Sequence, residues 1–242
     1  MTISSLLQGV ALGLVLSVSL SAQDSTPASS LRGAIAARSS GSLTAIQSRP
    51  QGVLADNIGR GYGVNGTYLF RVDRVGILSI RADLGVARYG NESTETPFSE
   101  SVGGRVKVDV STSNYVVPMS IGTQLTLPTR VIRPFINAGV GGIAFFTESS
   151  VNGASQGEMI ATTTNQSSTA ASWSVGGGAA VPIRIRSVPI GLEAGMQYLS
   201  GGKTRYLAPG GITDLPDGRV ELNSRETTTR MMLVHLGVRI GR

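Results

Sequence analysis

The sequence contains no cysteine, which excludes disulfide staples, thiolate catalysis, zinc ribbons and iron–sulfur clusters together. A single histidine in 242 residues leaves little for a metal centre built on imidazole. Charge is also scarce: Asp, Glu, Lys and Arg make up 15% of the chain, against the high charge that keeps a chain disordered. After the N-terminal segment no run approaches the roughly 18 apolar residues of a transmembrane helix. What is abundant is glycine, with 32 residues but no G-X-Y period, so collagen is excluded. The balance of 21 basic to 15 acidic residues gives a net charge of +6, which leaves nucleic acid or an anionic membrane surface open as partners. The length fits one all-β domain or two small ones.

Leu6 to Leu20 form an uncharged apolar run followed by Ser21, Ala22 and Gln23. The run is shorter than the about 20 residues that span a bilayer as a helix, and its small-residue end reads as a secretory signal peptide over 1–22, cut near Ala22. Met1 to Ser5 depart from that pattern by carrying no Lys or Arg. The polar residues 23–28 then start the mature chain. The alternative is a buried strand or helix opening a soluble domain.

From Arg60 onward apolar residues recur every second position, the signature of amphipathic strands. Tyr62, Val64, Gly66, Tyr68, Phe70 and Val72 share one face, with Gly63, Asn65, Thr67 and Arg71 on the other. Leu78 to Val86 repeat the pattern against Ser79, Arg81 and Asp83, and Tyr115 to Leu127 against Asn114, Ser120, Gln124 and Thr126. Further runs cover Ile136 to Phe146 (Arg133 and Asn137 opposite), Trp173 to Ile183, Ile190 to Tyr198 (Glu193 and Gln197 opposite) and Met232 to Ile240 (His235 and Arg239 opposite). At about 11 to 14 residues these strands exceed the usual five or six.

Short links at 73–75, 128–132 and 184–187 alternate with long polar links at 91–113, 147–171 and 200–227. The alternation implies hairpins with all the bulk at one end, and it requires an earlier partner strand. Leu31, Gly33, Ile35 and Ala37 supply one, with 39–58 as its long link. The fold class expected is all-β: an eight-stranded antiparallel up-and-down barrel over 29–242.

Alternation suits a soluble ligand-binding barrel and a transmembrane barrel equally. Three features favour the membrane. Tyr62, Tyr115, Phe146, Trp173 and Tyr198 fall on the outward face nearest the long-link end, as a membrane-interface girdle requires. Arginines mark each short-turn end (Arg71, Arg74, Arg130, Arg133, Arg184, Arg186, Arg239 and Arg242), where they can reach lipid phosphates. The remaining face is built of Gly, Ser, Asn, Thr, Gln and charges, suited to a narrow lumen.

With these residues in view the chain resembles the outer membrane protein A-type transmembrane domain and the wider family of small eight-stranded outer-membrane β-barrels. Gly59-Arg60-Gly61-Tyr62-Gly63 and Arg133-Pro134-Phe135-Ile136-Asn137-Ala138-Gly139 look like strands of that family. The resemblance implies a bacterial outer-membrane location, outer-membrane lipids (lipopolysaccharide among them) and the outer-membrane assembly machinery as partners, and a monomer. The chain departs from the family in ending Ile240-Gly241-Arg242 where the last strand usually closes on an aromatic. No peptidoglycan-binding domain is expected after the barrel.

Arg71, Arg81, Asp83, Glu193, Gln197, His235 and Arg239 are the expected lumen network, a polar plug of Arg–carboxylate pairs. No cofactor, metal or catalytic residue is expected, because His235 has no serine placed beside it and sits far from the outer rim. Gly176-Gly177-Gly178 matches no phosphate loop, and the basic residues are not interleaved with aromatics, so nucleic acid is not an expected partner. Arg105, Lys107, Lys203, Arg205, Arg219 and Arg225 could pair with lipid phosphates or acidic polysaccharide. The leading expectation is a structural or surface-interaction barrel whose specificity lies in its extracellular loops. A barrel enzyme acting on lipid, a small gated pore and an exported soluble barrel stay open.

Overall fold

In strands with one apolar and one polar face, closing the sheet removes both unpaired edges and separates two environments. A computed structural model describes residues 38–97, 107–152, 159–185, 188–214 and 220–241. The strands are β1 (Ser39–Pro50), β2 (Gly61–Arg71), β3 (Leu78–Pro97), β4 (Lys107–Thr126), β5 (Arg133–Asn152), β6 (Met159–Ile185), β7 (Val188–Asp214) and β8 (Val220–Gly241). They form one closed barrel in chain order. Each neighbour is antiparallel, and β1 closes the ring by pairing with β8 from Ser40↔Gly241 to Pro50↔Met231. Among the described residues no helix is long and apolar enough to cross a membrane; the long elements are strands.

Two expectations are corrected. The first strand is Ser39–Pro50, not the segment from Leu31 to Ala37, which lies outside the described residues together with 1–22 and 23–28. Its alternation is shallow in hydropathy because the inward face is Ser40, Ser42, Thr44, Ile46 and Ser48 while the outward face mixes Gly41, Leu43, Ala45 and Gln47. The link after it spans only 51–60. The strands are also longer than predicted, up to 27 residues in β6 and β7. Segments read as polar loops pair residue by residue, as from Asn91↔Ser113 to Pro97↔Lys107. Ser and Thr on both faces support pairing without giving any hydropathy period.

The turn between β2 and β3 is held by Asp73, whose carboxylate oxygens accept from the backbone N–H groups of Ile77 and Leu78, both at 3.0 Å. Gly76 follows with φ +83, a left-handed conformation that favours glycine.

The lumen is divided, which corrects the expectation of a wholly polar filling. Toward the long-hairpin end it is packed by Ile46, Ala87, Tyr89, Val116, Ile143, Phe145, Leu199, Met231 and Leu233. Leu54 and Ile58 join them from the β1–β2 link, which folds through one 3-10 turn (Gly52–Leu54). Gly142-Ile143-Ala144-Phe145-Phe146 and Met231-Met232-Leu233-Val234 are apolar on both faces, so the period-two signal vanishes there. Toward the short-turn end most inward residues are polar, with Leu69, Phe135 and Ala180 buried among them.

Candidate functional site

The polar half of the lumen is built around two carboxylates. Arg81 and Asp83 stand two apart on β3 and therefore share the inward face. The Arg81 guanidinium grips Asp83 with Nε at 2.7 Å from Oδ2 and Nη2 at 2.8 Å from Oδ1. Its Nη1 donates to Oε1 of Gln124 at 2.7 Å. Thr67 donates its hydroxyl to Asp83 at 2.7 Å, and Asn65 donates to the same oxygen at 3.4 Å. A charge removed from water stays ionised cheaply only when such partners replace the lost hydration.

The second carboxylate is Glu193 on β7. Cross-strand register sets it opposite Gly237 of β8, so the missing side chain there leaves room between the neighbouring inward residues, His235 and Arg239. Arg239 Nη2 lies 2.6 Å from Glu193 Oε2, His235 Nε2 lies 3.8 Å from Oε1, and Arg81 Nη1 completes the ring at 4.0 Å. The Glu193 side chain has no exposed area. Phe135 lies between the two guanidinium groups, its ring centroid 5.9 Å from Arg81 Cζ and 5.7 Å from Arg239 Cζ, within cation–π range. Gly195 faces His235 so closely that a Cβ would sit 2.8 Å from Nε2.

Of the residues predicted for the lumen, Arg81, Asp83, Glu193, His235 and Arg239 come together in this one cluster. Gln197 donates to Ser174 at 2.9 Å beside it. Arg71 lies on the same inward face at the turn end of β2, its stem next to Gly76. The sequence places Thr67 and Gln124 on the polar face but does not single them out for this cluster, and Phe135 is not among the residues expected there. Parity alone placed Phe135 inward with Asn137, but an aromatic in a polar lumen carries no signal of its own. A gap lined by Asp83, Ser120, Asn137, Ser174 and Gln197 lies beside the cluster and is too narrow for a water-sized sphere.

The outer wall has the opposite chemistry. Ile121, Ile136, Val140 and Leu236 are each 60% to 63% exposed. So large an apolar area in contact with water would be a liability for a soluble protein. The girdle residues all lie on this wall, in two groups. Tyr62, Arg88, Tyr115 and Phe146 are successive cross-strand partners on β2 to β5, whereas Trp173 and Tyr198 touch, with ring centroids 5.8 Å apart. Tyr68, on the same outward face but not among the predicted girdle residues, is exposed near the other rim, where its hydroxyl lies 2.8 Å from Ser39 Oγ.

The arginines at the short-turn ends do not form one interfacial belt. Arg74 and Arg130 are exposed, but Arg239 turns into the lumen to reach Glu193, because its parity is that of His235. Arg133 is half-buried, its Nε donating to the Thr129 carbonyl at 3.3 Å. Arg186 and Arg242 lie outside the described residues, as does the Arg184 side chain. Among the loop basics, Arg205 pairs with Glu226 at 3.4 Å and Lys203 is exposed. Arg105 and Arg219, with the side chains of Lys107 and Arg225, fall outside the described set.

A closed, even-stranded antiparallel barrel with an apolar outer wall and a charged half-lumen has one setting. The chain folds as an outer-membrane-type β-barrel. Comparison with solved structures finds proteins of low identity and low TM-score to this chain. Neisserial surface protein A is 13% identical, with TM-score 0.44 over 84% of this chain and 97% of that one. A major outer membrane protein from Thermus thermophilus is 11% identical, with TM-score 0.43 over 84% and 98%. Ail, the attachment invasion locus protein of Yersinia pestis, crystallised with the heparin analogue sucrose octasulfate, is 12% identical, with TM-score 0.36 over 83% and 95%. No protein-family model matches the chain, and no curated protein matches it.

Proposed function

We propose that this outer-membrane barrel is a monomeric, non-enzymatic surface protein, seated by the outer-membrane assembly machinery, with a sealed lumen and its interactions at the long-hairpin end. The observation that carries the reading is the stacking of two different seals inside one narrow barrel: the apolar cluster above and the Arg81–Asp83–Glu193–Arg239 cluster below. An eight-stranded barrel has room for little beyond its own side chains. The enclosure of His235, 6% exposed beside Glu193, argues against its use as a base toward lipid outside the wall. The partners proposed are the surrounding outer-membrane lipids, lipopolysaccharide included, and anionic material at the cell surface.

Planar-bilayer recording tests the seal. The purified full chain is expected to insert without steady conductance, and a sustained open-channel current would replace this reading with that of a small pore. Loss of a lipid-modifying activity on His235→Ala would instead establish the enzyme.

A further inference from the structure

Cations on the lipid-facing wall of a barrel are expensive unless an anion meets them, and here they are gathered on one side. Arg49 follows Gln47 by two on the outward face of β1, and Arg88 faces outward on β3 as the direct partner of Tyr62. Arg230 on β8 is exposed, and its carbonyl accepts from the Gln51 N–H at 2.9 Å, which places it beside Arg49 across the β1–β8 seam. Arg60, exposed, stands immediately before β2. Four arginines thus crowd the upper outer wall of β8, β1, β2 and β3, within the girdle of Tyr62, Tyr115 and Tyr198. None of them makes an ion pair with a described carboxylate. Among the described residues the outward side chains of β4, β5 and β6 include no Lys or Arg, and β7 adds only exposed Lys203 and the Glu226-paired Arg205 beside β8, so the charge is a patch and not a ring.

The patch is also oriented. Arg49 Nε donates to Gln47 Oε1 at 2.6 Å, and Gln47 Nε2 donates to the Tyr62 hydroxyl at 3.0 Å. This chain of side chains fixes one guanidinium at the level where interfacial tyrosines meet headgroups. Guanidinium groups grip phosphate through paired, charge-assisted hydrogen bonds. We infer that the outer wall of β8–β1–β2–β3 is a binding site for the phosphorylated headgroup of a lipid in the leaflet at the long-hairpin end. The inference rests on the reading of the chain as an outer-membrane barrel. It commits to a lipid because the patch lies on the wall that faces the bilayer and adjoins exposed Val64 and Leu43, which would carry the acyl chains.

The test uses the full chain in phosphatidylcholine vesicles doped with bis-phosphorylated lipid A, or with the same lipid stripped of phosphate. Lipid retained on extraction is counted by native mass spectrometry. The wild-type protein is expected to retain the phosphorylated lipid at least about tenfold over the stripped one, a preference that weakens in high salt. The variant R49S/R60S/R88S/R230S is expected to lose the preference while keeping its heat-modifiable folded band. If that variant does not fold, R49S/R88S and R60S/R230S serve instead, each expected to lower the preference. Equal retention of both lipids by the wild type, or an undiminished preference in the variants, overturns the site. A wild-type chain that is stripped from the vesicles by carbonate and lacks a heat-modifiable band overturns the barrel reading itself, and the site with it.

Discussion

Glu193 has no exposed area and is in ion-pair contact with Arg239 at 2.6 Å and Arg81 at 4.0 Å. Replacing such a carboxylate by an amide of the same shape leaves the buried guanidinium groups short of a counter-charge, and breaking a buried pair from one side typically costs on the order of 3–5 kcal/mol. Glu193→Gln is therefore expected to lower the urea midpoint of unfolding, followed as loss of the heat-modifiable folded band, by far more than Glu226→Gln. Glu226 sits in an exposed pair with Arg205, where little is at stake. Asp73, at the β2–β3 turn, gives a pH signature instead. The backbone N–H groups of Ile77 and, less strongly, Leu78 hold its carboxyl below the ordinary value of 3.8. A depressed folded pKa means that the turn's stabilisation is complete above 3.8 and is lost as the pH falls through the lower folded value. Acid destabilisation of the wild type relative to Asp73→Ala should thus be confined to the region below 3.8, and a difference that persisted unchanged into strong acid would disprove the turn assignment.

Among the elements, how much the sequence disclosed depended on contrast between the two faces of each strand. β2, β3 and the lower parts of β4 to β8 alternate apolar wall with polar lumen, so their parity, and with it the inward placement of Arg81, Asp83, Glu193, His235 and Arg239, was legible. β1 was not, because hydroxyls line its inner face and small residues interrupt its outer one. The extensions of β3 to β8 were hidden for the converse reason, since Ser and Thr are polar on both faces. The apolar half of the lumen was hidden because Ile143, Phe145, Met231 and Leu233 are flanked by apolar outward neighbours. Which carboxylate meets which guanidinium was beyond any strand pattern, as it depends on register between β7 and β8. The β1–β2 link illustrates the consequence: expected only as part of a long link over 39–58, it puts Leu54 into the core with no exposed area. Removing that side chain costs about 2 kcal/mol or more of packing, most of it local to the link. Leu54→Ala is expected to speed tryptic cleavage after Arg60 roughly tenfold while the barrel stays folded. Unchanged cleavage would show that the link is held by its backbone alone.

For the whole molecule the proposed function implies a lumen closed twice by unlike means. The apolar cluster excludes ions because a dry hydrophobic constriction does not wet. The charged cluster excludes them because its arginines and carboxylates are already paired in the space a hydrated ion would need. The two seals share no residue, so each should hold when the other is breached. Removing both members of one pair avoids leaving a buried orphan charge, so Glu193→Ala with Arg239→Ala opens the lower layer with the least damage to folding. Leu54→Ala with Phe145→Ala opens the upper one. Each double variant is expected to stay silent in a planar bilayer, and only the combined variant should pass steady current. Current from the upper-layer variant alone would mean that the ion-pair cluster rearranges to admit ions. Current from the lower-layer variant alone would mean that the β1–β2 link does not stay seated in the barrel mouth.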